Sequence, residues 1–456
     1  MKLSKNIILN TDSYKASMFK QYPVGTTGVY SYIESRGGQY DATVFFGLQA
    51  FIKEYLLDPI TQADIDIAEE VWTAHGEPFN RAGWQYILDK HNGYLPVVIK
   101  AVPEGTKVPV KNVLATIENT DPECFWLTTW LETALLRAVW YPTTVATQSR
   151  SIKETILTYL EKTGDPSTIN FKLHDFGARG VSSLESAAIG GASHLVNFMG
   201  SDTISGILYA REFYNAPMAG FSIPAAEHST ITSWGRDNEV EAYRNMLTQF
   251  AKPGSIVAVV SDSYDVFNAV DKLWGEELRQ QIIDSGATVV IRPDSGDPLE
   301  INQKLIKILG EKFGYTTNNK GYKVLNNVRL IQGDGVNEST IRTILGNFMI
   351  NGWSADNIAF GMGGALLQIV NRDTQQFAMK CSAAEINSKW VRVQKDPITD
   401  SGKKSKAGRV TLYQAKDGTF SSGVEDWPES ALKEVFRDGK LITEYTFDQI
   451  RANSNK

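Results

Sequence analysis

The chain is poor in cysteine and histidine and has no excess of positive charge. Its 456 residues include two cysteines and five histidines, and 46 basic against 52 acidic residues give a net charge of −6. Cys124 and Cys381 lie far apart and match no zinc-binding or disulfide pattern, so we expect two free thiols in a reducing compartment. The mild acidity argues against a nucleic-acid-binding protein, although a local basic pocket for phosphates stays open.

Long apolar runs are also absent. Ile7, Ile8 and Leu9 are too few for the hydrophobic core of a signal peptide, and no later run reaches the roughly 18 apolar residues of a membrane-spanning helix. We therefore expect a cytoplasmic protein with no membrane or nucleic-acid partner. The length and the 42% hydrophobic content are enough for a large core and favour two domains.

A repeated pattern occupies residues 171–364. Each repeat has an apolar β-rich run, a cluster of charged and glycine residues, and an amphipathic stretch of helical length. The clusters contain His174, Asp202, His228, Asp262, Asp294, Asp334 and Gly363. Successive members are 28, 26, 34, 32, 40 and 29 residues apart, close to the roughly 30 residues that a strand, a helix and two loops require. The spacing predicts an α/β barrel with the clusters at the carboxyl ends of its strands, where such folds carry their active sites.

The regions before and after this repeat have other patterns. They combine β-rich, amphipathic and short alternating segments without the repeated clusters. Over the whole chain, the expected strands are 28–34, 95–101, 256–260, 288–291, 390–393 and 409–413, and the expected helices are 43–57, 125–140, 149–162 and 266–285. We therefore expect a β/α barrel at 166–369 and a discontinuous α+β domain formed by 1–165 and 370–456.

Two glycine-rich turns follow predicted strands of the repeat, Gly333-Asp334-Gly335 and Gly361-Met362-Gly363-Gly364. Glycine lets backbone N–H groups approach an anion, and the helix that follows adds a favourable dipole. A single turn of this kind is more often only a turn. Two of them on one rim, beside Arg179 and Arg292, favour a phosphate-binding site.

Four aspartates, Asp202, Asp262, Asp294 and Asp334, end predicted strands and would meet at the same rim. Aspartate also caps helices well, and we expect capping to account for one or two of them. The others suit the hydroxyl groups of a sugar, a magnesium ion or a developing oxocarbenium charge.

His228 follows a predicted strand, and a single histidine is more often structural than catalytic. Asp262 and Asp294 on neighbouring strand ends change that expectation, because a carboxylate that orients the ring leaves its other nitrogen nucleophilic or basic. Phe176 and Tyr14 are either core residues or rings that stack on a flat substrate.

At these positions the sequence resembles the nicotinamide phosphoribosyltransferase family. The matching segments occur in order between Ile7 and Arg451 and are residues 11–15, 30–36, 118–124, 174–180, 224–230, 261–265, 291–296 and 331–335. The resemblance implies the fold of the type II phosphoribosyltransferases, an irregular β/α barrel with a second, discontinuous α+β domain. It also implies a homodimer whose active sites are shared between the subunits.

The resemblance further implies which residues bind the base. Phe176 and, from the other subunit, Tyr14 would sandwich the pyridine ring. Asp202 would accept a hydrogen bond from the carboxamide, and Arg179 would contact the amide on its oxygen side. Two further substrate-binding residues are implied, Asp12 and Ser222.

Another set of residues is implied for the ribose and the phosphates. Those that would hold the ribose and its phosphate are Asp294, Gly333, Asp334, Gly363, Gly364 and Arg372. Those that would bind pyrophosphate and the outer phosphates are Arg36, Arg292, Arg329, Arg372, Lys380, Lys395 and Lys403. ATP would phosphorylate His228, which would act in catalysis with Asp262 and Asp294. Magnesium is implied as the cofactor, with no ligand assigned.

The expected reaction joins nicotinamide to 5-phosphoribosyl 1-pyrophosphate, giving nicotinamide mononucleotide and pyrophosphate for NAD salvage, with ATP as co-substrate. A nicotinate phosphoribosyltransferase is the first alternative. Asp202 argues against it, because two negative charges 4 Å apart near a surface repel by about 1 to 4 kcal/mol. A glycosidase on a barrel would also use paired carboxylates but needs no glycine turns or arginines. A non-catalytic binding protein would be expected to lack His228, Asp294 or Arg292, and all three are present.

Overall fold

The computed structural model describes residues 5–399, 404–424 and 429–456. The chain forms two compact units. One comprises Met1–Thr147, Ala210–Ala216 and Asn371–Lys456, and the other comprises Gln148–Tyr209 and Pro217–Val370. The domain limits expected at residues 165 and 370 stay a prediction. In the described part of the chain, no helix is both long enough and apolar enough to cross a membrane.

The second unit is built on a parallel sheet of six strands. In spatial order they are Gly200–Ser201, Leu173–Asp175, Ile358–Met362, Val328–Gln332, Thr288–Arg292 and Ile256–Val260. Every neighbouring pair is parallel. The strands predicted at 256–260 and 288–291 are confirmed, and their valines and isoleucines are largely buried, as expected for strands covered on both faces.

Residues 221–226 join the two edges of this sheet. Phe221 pairs with Gly200 at one edge, and Ala225 pairs with Ala258 at the other. The N–H of Ser201 donates to the Phe221 carbonyl, and the N–H of Ala226 donates to the Ala258 carbonyl. One extended segment therefore bonds to both edge strands and gives the predicted irregular β/α barrel.

Helices connect the strands of this unit and cover the sheet. They are Leu184–Leu195, Ile204–Tyr214, His228–Thr232, Glu239–Phe250, Val266–Asn268, Arg279–Ser285, Pro298–Phe313, Glu338–Ile350 and Gly364–Leu367. The single helix predicted at 266–285 is wrong in detail. A π-helical stretch, Ala269–Glu277, separates the two α-helical pieces there, because the apolar periodicity does not distinguish a wide turn from an α-helical one.

The first unit contains an antiparallel sheet of seven strands. In spatial order they are Lys389–Arg392, Phe377–Ile386, Thr26–Ser35, Val113–Asn119, Val97–Ala101, Lys433–Arg437 and Lys440–Leu441. Two further strand pairs are Ala42–Val44 with Lys107–Pro109 and Val410–Gln414 with Phe420–Val424. The strands predicted near 28–34, 95–101, 390–393 and 409–413 are confirmed. After residue 370, the strand Phe377–Ile386 pairs with Thr26–Ser35 and Lys433–Arg437 pairs with Val97–Ala101, so segments before and after the barrel build one sheet.

Three helices predicted before residue 165 are corrected by the structure. Residues 42–44 of the helix predicted at 43–57 form a strand, and the helix begins at Leu48 after Gly47, whose φ is 107°. Leu127–Trp130 is a separate short helix, while most of the helix predicted at 125–140 and all of the one predicted at 149–162 form one helix, Glu132–Thr163, that continues through Pro142. Buried packing explains both differences, since the N–H groups of Val44 and Phe46 donate to hydroxyls on that helix.

The remaining helices of the first unit pack on its sheet. They are Gln62–His75, Arg81–His91, Leu127–Trp130 and Phe447–Ser454. The rings of Trp84, Trp126 and Trp130 pack edge to face, with centroids 4.9 to 5.9 Å apart, within the core of this unit.

Candidate active site

An aromatic ring lies at the carboxyl end of the barrel strands. Phe176 follows the strand Leu173–Asp175, and its N–H donates to the Met362 carbonyl at 3.0 Å. The Phe176 ring lies against Gly361, where a β-carbon would overlap the ring. A β-carbon on Gly333 would lie 3.6 Å from the same ring. Gly361 therefore makes room for this ring, and Gly333 lies beside the ring at ordinary contact distance. Sequence analysis had connected Gly361 only with phosphate.

Asp175 links two turns of the rim. Its Oδ1 accepts a hydrogen bond from the Gly177 N–H at 2.7 Å, and its carbonyl accepts one from the Asp202 N–H at 3.0 Å. Burial raises the pKa of Asp175 to about 6, and the nearby charge of Asp202 adds to this effect. Asp175 thereby fixes the turn that carries Phe176 to the turn that carries Asp202. Sequence analysis did not select it, because a buried aspartate in a strand carries no periodic signal.

Asp202 and Ser222 are adjacent at this rim. The Ser222 hydroxyl donates to Asp202 Oδ1 at 2.5 Å, which fixes the orientation of an otherwise exposed carboxylate. Such short hydrogen bonds to a charged acceptor are among the stronger ones in proteins. The sequence placed these residues 20 positions apart, and barrel closure by residues 221–226 brings them together.

Arg179 and the second glycine turn lie along the segment that follows Phe176. A β-carbon on Gly180 would lie 3.3 Å from the α-carbon of Gly364, and one on Gly363 would lie 3.6 Å from the Phe176 carbonyl. Arg179 is exposed on the short 3-10 helix Ala178–Gly180. An exposed guanidinium beside a glycine turn suits a phosphate or a carboxamide oxygen.

His228 pairs with Asp262 on the neighbouring strand end. His228 Nε2 lies 3.1 Å from Asp262 Oδ1. Because an ionised carboxylate only accepts hydrogen bonds, the hydrogen between the two groups belongs to Nε2, and in the neutral imidazole Nδ1 then has the lone pair. The Asp262 side chain is 3% exposed and the His228 side chain 47% exposed. The arrangement is therefore a buried carboxylate that orients an accessible imidazole.

Asp294 is surrounded by charged groups. Arg292 Nη2 lies 3.2 Å from Asp294 Oδ2. Burial raises the pKa of Asp294; Arg292 opposes the shift, and the negative charges of Asp262 and Asp334 add to it. Asp262 and Asp334 are thus both close enough to influence Asp294, as expected for residues of one rim. In the part of the chain that the structure describes, the buried Nε of Arg292 has no hydrogen-bond partner, which leaves it available to an anion.

Helix capping, the alternative expected for one or two rim aspartates, does not explain three of them. The helices that follow Asp262, Asp294 and Asp334 are capped by other side chains three residues further along, those of Asp265, Asp297 and Asn337. The rim aspartates are therefore available for chemistry.

Arg329 lies away from the rim. It is the second residue of the strand Val328–Gln332, at the end opposite to Gly333. Its guanidinium donates to the carbonyls of Leu325 and Val328. Burial lowers its pKa. The structure does not bring Arg329 together with the other predicted phosphate-binding residues of the barrel, so we omit it from the candidate site.

The first unit holds a group of basic side chains around Lys380. Burial lowers the pKa of Lys380, Glu132 opposes the shift, and Arg36, Lys15 and Lys395 add to it. Arg36 and Lys395 are therefore both within electrostatic reach of Lys380, as a shared phosphate ligand would require. Lys15, which is buried and ion-paired with Glu132, was not selected from the sequence, although it directly follows Tyr14.

Three more predicted residues lie in the first unit. Tyr14 is 57% exposed on the 3-10 helix Ser13–Lys20. Asp12 precedes that helix and accepts a hydrogen bond from the Thr133 hydroxyl at 2.7 Å. Arg372 is exposed and lies 3.1 Å from Asp373. Lys403, also predicted to bind phosphate, lies outside the described residues.

One group of metal-ligand type exists among the described residues, formed by His91, Asp121 and Cys124, with ligand atoms within 4.8 Å of one another. Hydrogen bonds explain it without a metal. Asp121 caps a short 3-10 helix and accepts from Tyr86, and its Oδ2 lies 2.7 Å from His91 Nε2. Burial raises the pKa of the Cys124 thiol to about 12, so a thiolate is strongly disfavoured.

The chain is similar in sequence to proteins of one known family. Residues 171–440 match the Nicotinate phosphoribosyltransferase (NAPRTase) family, and residues 6–99 match the Nicotinamide phosphoribosyltransferase, N-terminal domain. The chain is 57% identical to the nicotinamide phosphoribosyltransferase of Xanthomonas campestris pv. campestris, over 99% of this chain and 98% of the relative. It is 33% identical to that of Acinetobacter baylyi, over 96% of this chain and 95% of the relative.

A solved structure shares the fold. The nicotinate-nucleotide pyrophosphorylase from Pyrococcus furiosus aligns with a TM-score of 0.63 at 16% identity and covers 100% of this chain and 97% of its own. The predicted type II phosphoribosyltransferase fold is therefore confirmed. Taken with the matches in sequence, the chain belongs to the nicotinate phosphoribosyltransferase family, in its nicotinamide phosphoribosyltransferase branch.

Proposed function

We propose that this enzyme transfers the 5-phosphoribosyl group of phosphoribosyl pyrophosphate to nicotinamide, as a step of NAD salvage that is coupled to ATP hydrolysis. The observation that supports it best is the set of rim residues around Phe176. The Phe176 ring against Gly361, the Asp202 carboxylate fixed by Ser222 and the Asp294 carboxylate suited to a ribose belong to one face of the barrel. Together they suit a pyridine amide next to a sugar phosphate.

The transfer breaks one bond and forms one. The pyridine nitrogen attacks C1′ of the ribose, and the bond from C1′ to the pyrophosphate oxygen breaks, so positive charge develops on the ribose ring. Asp294 and Asp334 stabilise that charge, and Arg292 with its free Nε suits the negative charge of the leaving group. The basic group of Arg36, Lys380 and Lys395 suits pyrophosphate in the same way.

Asp202 supports nicotinamide as the base. Its Oδ1 accepts from Ser222, and a carboxylate has further acceptor capacity for the carboxamide NH2. Nicotinate would bring a second negative charge to this position. Repulsion of about 1 to 4 kcal/mol then favours the amide.

The coupling to ATP is proposed to run through His228. With Nε2–H directed to Asp262, the Nδ1 lone pair attacks the γ-phosphorus of ATP, the bond to the β-phosphate oxygen breaks, and ADP leaves. The ring of the phosphorylated histidine is then positively charged, and Asp262 stabilises it. Water later attacks the phosphorus and releases phosphate, which returns the ring to its neutral form.

Magnesium is proposed as the cofactor. Asp262, Asp294 and Asp334 offer the hard carboxylate oxygens that Mg²⁺ prefers, and the repulsion among them, which contributes to the raised pKa of Asp294, would be relieved by a cation. Mg²⁺ sites usually combine one or two carboxylates with phosphate oxygens, so a closed protein cage is not required. When bound, the ion would neutralise charge on the pyrophosphate group.

A cytoplasmic homodimer completes the proposal. The two free cysteines support a reducing compartment. The exposed ring of Tyr14 is available to a site of the partner subunit, where it would face the base opposite Phe176. If so, mixing inactive Tyr14→Ala and Phe176→Ala chains restores one intact site per mixed dimer, and verified mixed dimers without activity would contradict a shared site.

Product formation with three acceptor conditions tests the function. Purified enzyme is incubated with phosphoribosyl pyrophosphate and Mg²⁺, with nicotinamide, nicotinate or neither, each with and without ATP. With nicotinamide we expect nicotinamide mononucleotide and pyrophosphate in equal amounts. We also expect ATP to lower the Michaelis constant for phosphoribosyl pyrophosphate. Faster turnover of nicotinate would instead identify the acid as the substrate.

A further inference from the structure

The Asp262 carboxylate is hydrogen-bonded on both of its oxygens. Oδ1 meets Nε2 of His228 at 3.1 Å. Oδ2 accepts from the Asp294 N–H at 2.9 Å and also from the Ser295 hydroxyl. The carboxylate thus stands between the histidine proposed to react with ATP and the turn whose Asp294 is proposed to hold the ribose.

Ser295 determines how Asp262 is held. Without Ser295, each carboxylate oxygen would keep one partner, His228 on Oδ1 and the Asp294 N–H on Oδ2. The Ser295 hydroxyl adds a second donor on Oδ2 and so holds that oxygen more firmly to the turn that contains Asp294. Ser295 itself is exposed, and the Asp262 side chain it contacts is almost fully buried. The hydroxyl therefore ties a surface turn to a buried charge.

We propose that Ser295 is a positioning residue that couples the state of His228 to the ribose-binding turn through Asp262. The inference rests on the ATP coupling proposed above. When the ring of His228 becomes positively charged, Asp262 Oδ1 binds it more strongly. Because Oδ2 is held by two donors from one turn, the change is transmitted to the backbone of Asp294.

Linkage gives the proposal a second consequence. If phosphorylation of His228 strengthens binding of the ribose donor, then the ribose donor strengthens formation of the ATP-derived state by the same factor. Couplings of this kind typically amount to about 5- to 150-fold in affinity. Loss of one of the two hydrogen bonds that transmit it should reduce the factor by at least about threefold.

The test compares Ser295→Ala with two matched variants. Ser295→Thr keeps the hydroxyl. Ser263→Ala removes a buried hydroxyl next to Asp262 that has no hydrogen-bond partner among the described residues. For each enzyme, the Michaelis constant for phosphoribosyl pyrophosphate is measured with and without ATP, together with the ATP hydrolysed per nicotinamide mononucleotide formed. Melting temperatures verify folding.

We expect ATP to lower the Michaelis constant of the wild type by about fivefold or more. In Ser295→Ala the ratio of the Michaelis constant without ATP to that with ATP falls by at least about threefold. The ATP-free constant stays nearly unchanged, and more ATP is hydrolysed per product. Ser295→Thr and Ser263→Ala behave like the wild type.

Three results would overturn the inference. An unchanged ratio in Ser295→Ala means that Asp262 does not need the hydroxyl. An equal rise of the Michaelis constant for phosphoribosyl pyrophosphate with and without ATP means that Ser295 contacts this substrate directly. If ATP has no effect on the wild type, the ATP part of the proposed function fails together with this inference. If ATP affects the wild type and Ser295→Ala equally, only this inference fails.

Discussion

The ring of Phe176 lies directly against the α-carbon of Gly361 on the neighbouring strand, in space that any side chain would fill. Replacing Gly361 by alanine therefore has to displace the ring. We expect Gly361→Ala to raise the Michaelis constant for nicotinamide at least tenfold, since overpacking typically costs about 1 to 3 kcal/mol. Steady-state kinetics at saturating ribose donor measures this effect.

A double-mutant cycle provides the control for this first prediction. In a Phe176→Ala background the methyl group of Gly361→Ala has room, so the second substitution should add little to the first. Additive effects of the two changes would mean that Gly361 acts by some route other than the position of the ring.

Asp202 should determine the preference for amide over acid. Asp202→Asn removes the repulsion towards a carboxylate and weakens acceptance from the carboxamide NH2. We expect the ratio of catalytic efficiencies for nicotinamide and nicotinate to fall at least tenfold, about 1.4 kcal/mol. Ser222→Ala, which only releases Asp202 from its hydrogen bond, should shift the ratio less. An unchanged ratio in Asp202→Asn would move the basis of selection to another residue, with Arg179 the first candidate.

His228 should be the residue that ATP phosphorylates. His228→Ala removes the imidazole that Asp262 orients, so ATP hydrolysis stimulated by nicotinamide should be lost while some transfer without ATP persists. Label from γ-labelled ATP should appear in the wild-type chain and in the control His75→Ala, whose histidine is exposed elsewhere. Undiminished label in His228→Ala would identify a different acceptor.

Asp175 should make the stability of the fold depend on pH. Burial raises its pKa to about 6, so between the unfolded value near 4 and pH 6 the folded state binds more protons than the unfolded state. Its contribution to the free energy of unfolding is therefore full below pH 4 and is lost as the pH rises through 6. Asp175→Asn cannot titrate and keeps an acceptor for the Gly177 N–H.

Chemical denaturation from pH 4 to 8 measures this contribution. The free energy of unfolding of Asp175→Asn minus that of the wild type should increase by about 1 to 3 kcal/mol between pH 4 and 7 and stay constant above pH 7. A difference that does not change with pH would show that the carboxyl group is not protonated in the folded state in this range.

Much of the site was predictable because it depends on local order. Cluster spacing near 30 residues placed His228, Asp262, Asp294 and Asp334 at strand ends, and in the structure Asp262 and Asp334 lie close enough to Asp294 to raise its pKa. Buried β-branched runs identified strands such as Ile256–Val260, since continuous apolar residues are what a strand covered on both faces requires. These signals lie within one strand and its next helix, so they can be read without knowing the fold.

Other features depend on which strands become neighbours. In space, the strand Leu173–Asp175 lies between Gly200–Ser201 and Ile358–Met362, an order that the sequence does not encode locally. That order sets Phe176 against Gly361, and closure by residues 221–226 sets Ser222 against Asp202. The local pattern also could not show that Arg329 lies near the start of its strand, at the end opposite to the rim. There its guanidinium donates to backbone carbonyl groups.

The sequence by itself determined the kinds of elements, the residues at their ends and the family they resemble. The tertiary structure decided which of these residues meet, and with what consequence for charge and space. The physical reason is that periodicity reports only the burial of each segment. Contacts such as the two donors on Asp262 Oδ2 arise when separate segments compete for the same buried volume and hydrogen-bonding groups.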